Sequence, residues 1–195
     1  MKGFFIVLDG PDASGTSTQT KLLVERLQKE GHEVMQTAEP TDGPVGKQIR
    51  EFLKTGSADP MELQLLFTSD RAWHVKHVIE PALNAGKVVV CDRYWHSTIV
   101  YAESQGLDVS ELKKLNNNFI QPDVVFFTLP PIEVSLKRLE KRASAEIFER
   151  EDLQRTIHDG YEEMAANNPE IHVIDTSGEK EATSNHIWNI VKDRL

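Results

Sequence analysis

The sequence is poor in cysteine, aromatic residues and positive charge, and it contains no long apolar run. Cys91 is the only cysteine, which excludes an internal disulfide framework and a multi-cysteine zinc site. No apolar stretch approaches the roughly 20 residues needed to cross a bilayer as a helix. The run Phe4 to Leu8 is too short for a secretory signal and gives way at once to Asp9. Lys plus Arg number 22 against 31 Asp plus Glu, a formal net charge of −9. Binding a nucleic acid polymer needs a basic face to neutralise phosphates, so that class is set aside, although a few placed cations could hold one nucleotide. The expectation is a soluble cytoplasmic protein with neither a membrane nor a nucleic acid polymer as partner.

What is present points to a packed globule. A chain of 195 residues with 39% hydrophobic and 27% charged residues can bury a core, and its length suits a single domain. Short apolar runs alternate with longer amphipathic ones. Phe4 to Leu8, Glu33 to Thr37, Lys87 to Cys91, Val124 to Thr128 and Ile171 to Ile174 read as five strands, bounded by Gly, Pro or Asp. The three richest are apolar nearly throughout, as strands covered on both faces are. Helices are expected at Ser17–Glu30, Val45–Leu53, Met61–Leu83, Pro131–Arg142, Phe148–Ala165 and Glu179–Leu195, which complete the set. Strands and helices in turn imply βαβ units with right-handed crossovers, hence a three-layer, doubly wound α/β fold on a five-stranded parallel sheet. There is no repeat, low-complexity tract or linker.

The turn after the first strand carries the strongest chemical signal. Gly10-Pro11-Asp12-Ala13-Ser14-Gly15-Thr16-Ser17-Thr18 has the frame glycine, four residues, glycine, then hydroxyl residues opening a helix. Such a frame turns backbone N–H groups inward at a helix N-terminus, where a phosphate gathers them, and the hydroxyl of Ser17 would hold magnesium. The usual lysine of this pattern is replaced by Thr16, which removes the point charge that meets the outer phosphates. Asp92 and Arg93 follow the strand at Lys87 to Cys91. A carboxylate where a buried strand ends can serve magnesium or its waters, and the arginine fork beside it suits a phosphate; a helix cap with a surface arginine is the plainer alternative. Phe67 and Arg71 lie four apart on a helix and share a face. They could stack and bond a base, or equally form core plus salt bridge. The segment 143–147 between Arg142 and Arg150 reads either as a surface connection or as a lid over a phosphate. The seven histidines show no metal-ligand spacing, and His74 and His77 are expected to face solvent.

Taken together these stretches resemble the thymidylate kinases of the P-loop nucleoside-monophosphate kinase class, from about Phe4 to about Asp175. The resemblance runs through Gly10 to Gln19, Glu39-Pro40, Val45 to Arg50, Leu66-Phe67 with Asp70-Arg71-Ala72, Asp92-Arg93-Tyr94, Ser97 to Tyr101, Gln121-Pro122-Asp123, Arg138 with Arg142, and Phe148-Glu149. It implies a short lid at about 141–151, phosphorylation of dTMP to dTDP by ATP with Mg2+, and a homodimer formed through helices near the start of the chain and the long central one. It further implies that Gly10 to Thr18, Arg138 and Asp175 bind ATP, with Ser17 and Asp92 at the metal. Asp12 would bond the deoxyribose 3′-hydroxyl, Phe67 and Pro40 would sandwich thymine, and Arg71 would bond the base. Tyr101 would crowd the 2′ position, and Arg93 with Arg50 would grip the acceptor phosphate. Glu39 and Ser97 complete the expected acceptor site. Ala13 occupies a phosphate-loop position where some members carry arginine, so Asp12, Asp92 and Arg93 would be joined in catalysis by Arg142 and Arg150 of the lid. Ala38 and Ile147 also stand where many bacterial members have arginine. A kinase of other nucleotide or nucleoside specificity, or a catalytically weak nucleotide-binding homologue, are the alternatives that Thr16 raises.

Overall fold

A computed structural model describes residues 3–141, 148 and 150–195. Five parallel strands form one sheet in the order β2-β3-β1-β4-β5: β1 (Phe4–Asp9), β2 (Val34–Ala38), β3 (Val88–Asp92), β4 (Val124–Thr128) and β5 (Ile171–Ile174). In the central strands side chains alternate between two buried faces, as the period of a pleated strand requires. Ile6, Leu8, Val88, Val90, Val124 and Phe126 face one core, with Leu23, Leu27, Ile187 and Val191. Phe5, Val7, Val89 and Cys91 face the opposite side and pack on Val75, Ile79 and Leu83, while Val125 and Phe127 join Ile49, Leu63, Ile157 and Tyr161. Burial on both faces is why these strands are apolar at nearly every position.

The first core is covered by α1 (Thr16–Lys29) and α9 (Lys180–Val191). The others are covered by α2 (Pro44–Thr55), α3 (Pro60–His74), α4 (Glu80–Asn84), α5 (Trp95–Ser104), α6 (Ser110–Asn116), and α8 (Glu151–Asn167); α7 (Ile132–Leu139) follows β4. The expected helix Met61–Leu83 is a continuous rod, but it widens into a π-helical turn at Val75–Ile79 between α3 and α4. The wide turn falls where Pro81, lacking an N–H, would also press its ring on the carbonyl of residue 77.

Helices α5 and α6 were not expected from the pattern. In α5 the consecutive residues Thr98, Ile99, Val100, Tyr101 and Ala102 are all buried, so the helix shows no polar stripe from which periodicity could be read. The helix before the last strand also starts later than expected, since α8 opens at Glu151 rather than Phe148. The expected lid, about 141–151, falls largely outside the described residues.

Candidate active site

The turns after β1 and β3 hang from the carboxyl ends of central strands, the end of a doubly wound sheet where ligands bind. After β1 the chain folds through residues 10–15 into α1. Ala13 and Gly15 adopt left-handed backbone, with φ of 57° and 101°. A Cβ at Gly10 would stand 2.6 Å from the carbonyl oxygen of Thr128, so the loop is seated on β4 only because that position has no side chain. Gly15 offers α1 no side-chain cap. The first N–H groups of the helix are therefore left for an anion, favoured by the partial positive charge there.

Thr16 lines that opening, but its hydroxyl is engaged by neighbouring hydroxyls. Its Oγ1 lies 2.9 Å from Thr128 Oγ1 and 3.1 Å from Ser14 Oγ, and Ser14 Oγ is 2.7 Å from Thr128 Oγ1. Three hydroxyls thus tie the loop to β4 at the position that normally carries lysine. The Thr176 hydroxyl adds a hydrogen bond to the Ser14 carbonyl.

Asp9, fully buried at the end of β1, fastens this loop to the β3–α5 turn. Its carboxylate accepts from the N–H of Gly10 (2.9 Å), the N–H of Tyr94 (3.0 Å), Ser97 Oγ (2.6 Å) and the Tyr161 hydroxyl (2.7 Å). Arg93 in that turn has φ 68°, a left-handed backbone that costs a non-glycine residue about 1–2 kcal/mol. The turn aims its guanidinium across the sheet to the Gly10 carbonyl (2.7 Å), Ser97 Oγ (3.0 Å) and Asp12 Oδ1 (2.6 Å). Burial works against its charge, but Tyr101, Asp12, Tyr161 and Asp9 more than offset this, so Arg93 remains a cation. Asp92 beside it has its carboxyl raised by burial, with the hydroxyl of Ser17 and the Arg93 charge pulling it back.

Two clefts meet at this point. The larger, about 530 Å³, is lined by the loop from Pro11 to Gln19, without Ser14, and by Asp92, Arg93, Arg138, Thr176 and Lys180. The smaller, about 220 Å³, is lined by Glu39, Pro40, Arg50, Leu53, Gln64, Phe67, Ser97, Thr98, Tyr101 and Phe148. Asp12 and Arg93 line both.

The smaller cleft is built on a buried polar frame. Glu39 Oε2 accepts from Arg71 Nε at 2.8 Å and Nη2 at 2.7 Å, and Oε1 faces His74 Nδ1 at 3.0 Å. Arg71 also donates to Asn116 Oδ1 and Thr98 Oγ1. Only 1% exposed, it lies behind the cleft wall, and Thr98 and Glu39 carry its influence to the surface. His74 is buried and bonded to Thr37 Oγ1 at 2.6 Å, contrary to the expectation that it faces solvent; its second-turn neighbour His77 is exposed. The rim is the 39–43 loop, pinned by Asp70, which accepts from the Thr41 N–H and hydroxyl at 2.6 and 2.7 Å. Arg50 donates to the carbonyls of Pro40 and Thr41, both at 2.6 Å. Tyr101 packs edge-on to Phe148 and under the Arg93 guanidinium. Burial, with Asp12 adding to it and Arg93 opposing, keeps its phenol well above the ordinary range and therefore neutral.

The remaining expected residues divide. Arg138 reaches the phosphate loop, donating to the carbonyls of Ala13 (3.2 Å) and Thr176 (2.7 Å). Asp175 caps the N–H of Ser177 on an exposed turn, and its neighbour Thr176 is the cleft residue. Ser17 and Thr18 are exposed at the mouth of the loop. Arg150 is not brought to either of the two clefts: it is exposed and forks onto Asp152 at 2.6 and 3.2 Å. Arg142 and Ile147 lie outside the described residues. Buried His158 and exposed Asp159 and Glu162 gather on α8, their ligand atoms within 4.8 Å of one another, a grouping that sequence spacing did not suggest.

Sequence reasoning missed Asp9, Lys180, Thr98 and Gln154, whose Nε2 bridges Asp12 Oδ2 (3.0 Å) and the Phe148 carbonyl (2.8 Å). Asp9 was readable, since an acid ending a buried strand was the reason to single out Asp92. Thr98 was readable too, since it adjoins Ser97 within the Ser97 to Tyr101 stretch, whereas Lys180 and Gln154 come from distant segments and carry no local motif.

Among the described residues no helix is long and apolar enough to cross a membrane. The family model described as thymidylate kinase matches residues 8–187. A "Probable thymidylate kinase" of Pyrococcus horikoshii is 40% identical over all of this chain and 98% of its own length. A "Thymidylate kinase" of a Synechococcus species is 39% identical over 98% of this chain and 95% of its own. One from Brachyspira hyodysenteriae is 36% identical over 99% and 95%.

Proposed function

Because the chain belongs to the thymidylate kinase family and phosphorylates dTMP with ATP, we propose that its larger cleft holds the ATP and its smaller cleft the dTMP. The observation that carries this assignment is that Asp12 and Arg93 line both clefts. A terminal phosphoryl group and its acceptor must meet within bonding reach, and a junction with a fixed cation is where two phosphates can do so.

In the larger cleft the amides of the phosphate loop and the start of α1 surround the triphosphate, with Arg138 and Thr176 toward the adenine side and Asp175 supporting that turn. Ser17 and Asp92 fit a magnesium ion. Both offer hard oxygen donors, and the carboxyl of Asp92 is held up by burial in a way that a nearby cation reverses. Magnesium there supplies charge neutralisation on the phosphate tail.

In the smaller cleft Phe67 and Pro40 flank the thymine, while Arg71 acts on it through the Thr98 hydroxyl and Glu39, which it orients. Tyr101 stands at the 2′ position and Asp12 takes the 3′-hydroxyl. Arg50, Ser97 and Arg93 face the acceptor phosphate. That phosphate is already an anionic nucleophile, so no general base is required. Its oxygen bonds to the γ-phosphorus as the bond to the β,γ-bridging oxygen breaks and ADP leaves. Arg93 counters the charge during transfer, and Arg142 or Arg150 supplies a second cation from the 141–151 segment, offsetting Thr16 and Ala13.

We further propose a homodimer through the exposed Leu65 and Trp73 of α3, which are 47% and 45% exposed, and a cytoplasmic site of action beside the nucleotide pool. Measuring ADP release with dTMP, dUMP, dCMP and dGMP tests the whole reading. dTMP is expected to give the highest kcat/KM by at least tenfold; a preference for dCMP or dGMP would contradict it.

A further inference from the structure

Among the described residues, Gln64 lines the smaller cleft's inner wall with both atoms of its side-chain amide unpaired; the Tyr101 hydroxyl is the other unpaired group there. It is 1% exposed, and neither its Oε1 nor its Nε2 has a hydrogen-bond partner among the described residues. Buried amides are rarely left so, because both the donor and the acceptor forgo the water they had when unfolded. Its neighbours show the contrast: Arg71, Glu39, Asn116 and Thr98 are bonded to one another. Gln64 borders the cleft beside Phe67 and Thr98. It sits three residues before Phe67 on α3, so both side chains leave the same helix face. Its backbone is held by the Thr68 hydroxyl, which donates to the Gln64 carbonyl at 2.9 Å.

A primary amide offers one acceptor and one donor group side by side. The Watson–Crick edge of a pyrimidine-2,4-dione offers the complement, an N3–H flanked by carbonyls. We propose that Gln64 reads this imide edge, its Oε1 accepting from N3–H and its Nε2 donating to an adjacent ring carbonyl, while Phe67 holds the plane of the ring. The inference rests on the assignment of the smaller cleft to dTMP. Uracil carries the same edge, so Gln64 recognises the dione and leaves discrimination of the 5-methyl group to other contacts.

The test is calorimetric titration of the full-length protein with dTMP, dUMP, N3-methyl-dTMP and ATP, on wild type, Gln64→Leu and the shape-matched Gln64→Met. Thermal unfolding of each without nucleotide accompanies it. The expected result is a dTMP Kd raised about ten- to a hundredfold in both variants, with dUMP weakened by the same factor. ATP affinity should stay as in wild type, and the unfolding temperature should be equal or higher, because an unpaired buried amide has been removed. Wild type should lose affinity for N3-methyl-dTMP, whereas the variants should bind it and dTMP about equally. A folded variant that binds dTMP as wild type does would overturn the role of Gln64 alone, as would a wild type indifferent to N3-methylation should neither variant fold. A wild type that binds ATP but not dTMP would overturn the cleft assignment and this inference with it.

Discussion

The hydroxyl of Thr16 lies 2.9 Å from that of Thr128, so it is engaged by β4 at the floor of the larger cleft. The position that conventionally carries a mobile ammonium therefore serves as an anchor between α1 and β4. The positive charge lining the larger cleft comes instead from Arg93, Arg138 and Lys180. Thr16→Lys should restore a charged contact worth about 1.5–3 kcal/mol, a ten- to hundredfold gain in ATP affinity or turnover. It should also lose the anchor, costing about 1 kcal/mol and lowering the melting temperature by about 2–4 °C. Steady-state kinetics beside a thermal melt checks both; unchanged kinetics would mean that the loop is built around threonine.

Arg93 spans the junction of the clefts, bonded to Asp12 on one side and Gly10 on the other. Its truncation to alanine should lower kcat by about 10²–10³, the loss typical of one preorganised donor at a developing charge. ATP binding measured in the absence of dTMP should change much less. A kcat within threefold of wild type would remove Arg93 from the transfer step.

Tyr101 is neutral and packed between Phe148 and Arg93. If it crowds the 2′ position, Tyr101→Ala should narrow the preference for dTMP over its ribonucleotide counterpart by about tenfold or more, mainly through improved use of the ribonucleotide. Competition between the two monophosphates reads the ratio directly, and a ratio that does not move would assign that discrimination elsewhere.

His96 is buried against Trp95 and Phe127, with Asp9 3.8 Å away. Burial lowers its pKa from 6.5 to about 4, Asp9 opposing and Arg71 assisting. Above pH 6.5 the residue is neutral in both folded and unfolded chains. As pH falls from 6.5 to 4 the unfolded chain takes up the proton first, so stability declines across that window by about 3 kcal/mol and levels off below it. Urea denaturation from pH 7.5 to 4 should show this slope, and His96→Phe should flatten it; an equal slope in the variant would place the proton uptake on other groups.

The two arginines of the 141–151 segment, Arg142 and Arg150, make a sharper demand. Loss of a charge inserted at the transferred phosphoryl group can cost about 10³–10⁵ in rate, so Arg142→Ala or Arg150→Ala should cripple turnover while dTMP still binds. Wild-type turnover in both would leave Lys180, Arg138 and Arg93 as the compensation for Thr16.

Much of this was legible in the sequence because strand and loop signals are local. The five strands, the burial of β1, β3 and β4 on both faces and the glycine-framed loop after β1 follow from short runs and glycine spacing. Helix α5 escaped because burial on every side erases the polar stripe that marks a helix. His74 was misjudged because its partner Glu39, 35 positions away, is set by tertiary packing and leaves no trace in the local pattern. Asp9 shares the strand-end signal that singled out Asp92, but its bond to Ser97 and that of Gln154 to Asp12 span 88 and 142 positions, and no local pattern marks such partners. The unpaired amide of Gln64 likewise becomes visible only once every neighbour's hydrogen bonds are counted.

The most direct test is a crystal structure with a non-hydrolysable ATP analogue, Mg2+ and dTMP. The account predicts β- and γ-phosphate oxygens within hydrogen-bonding distance of main-chain N–H groups between residues 13 and 18, with Arg93 touching the acceptor phosphate. A triphosphate bound elsewhere, or a loop closed over an empty cleft beside bound dTMP, would contradict it.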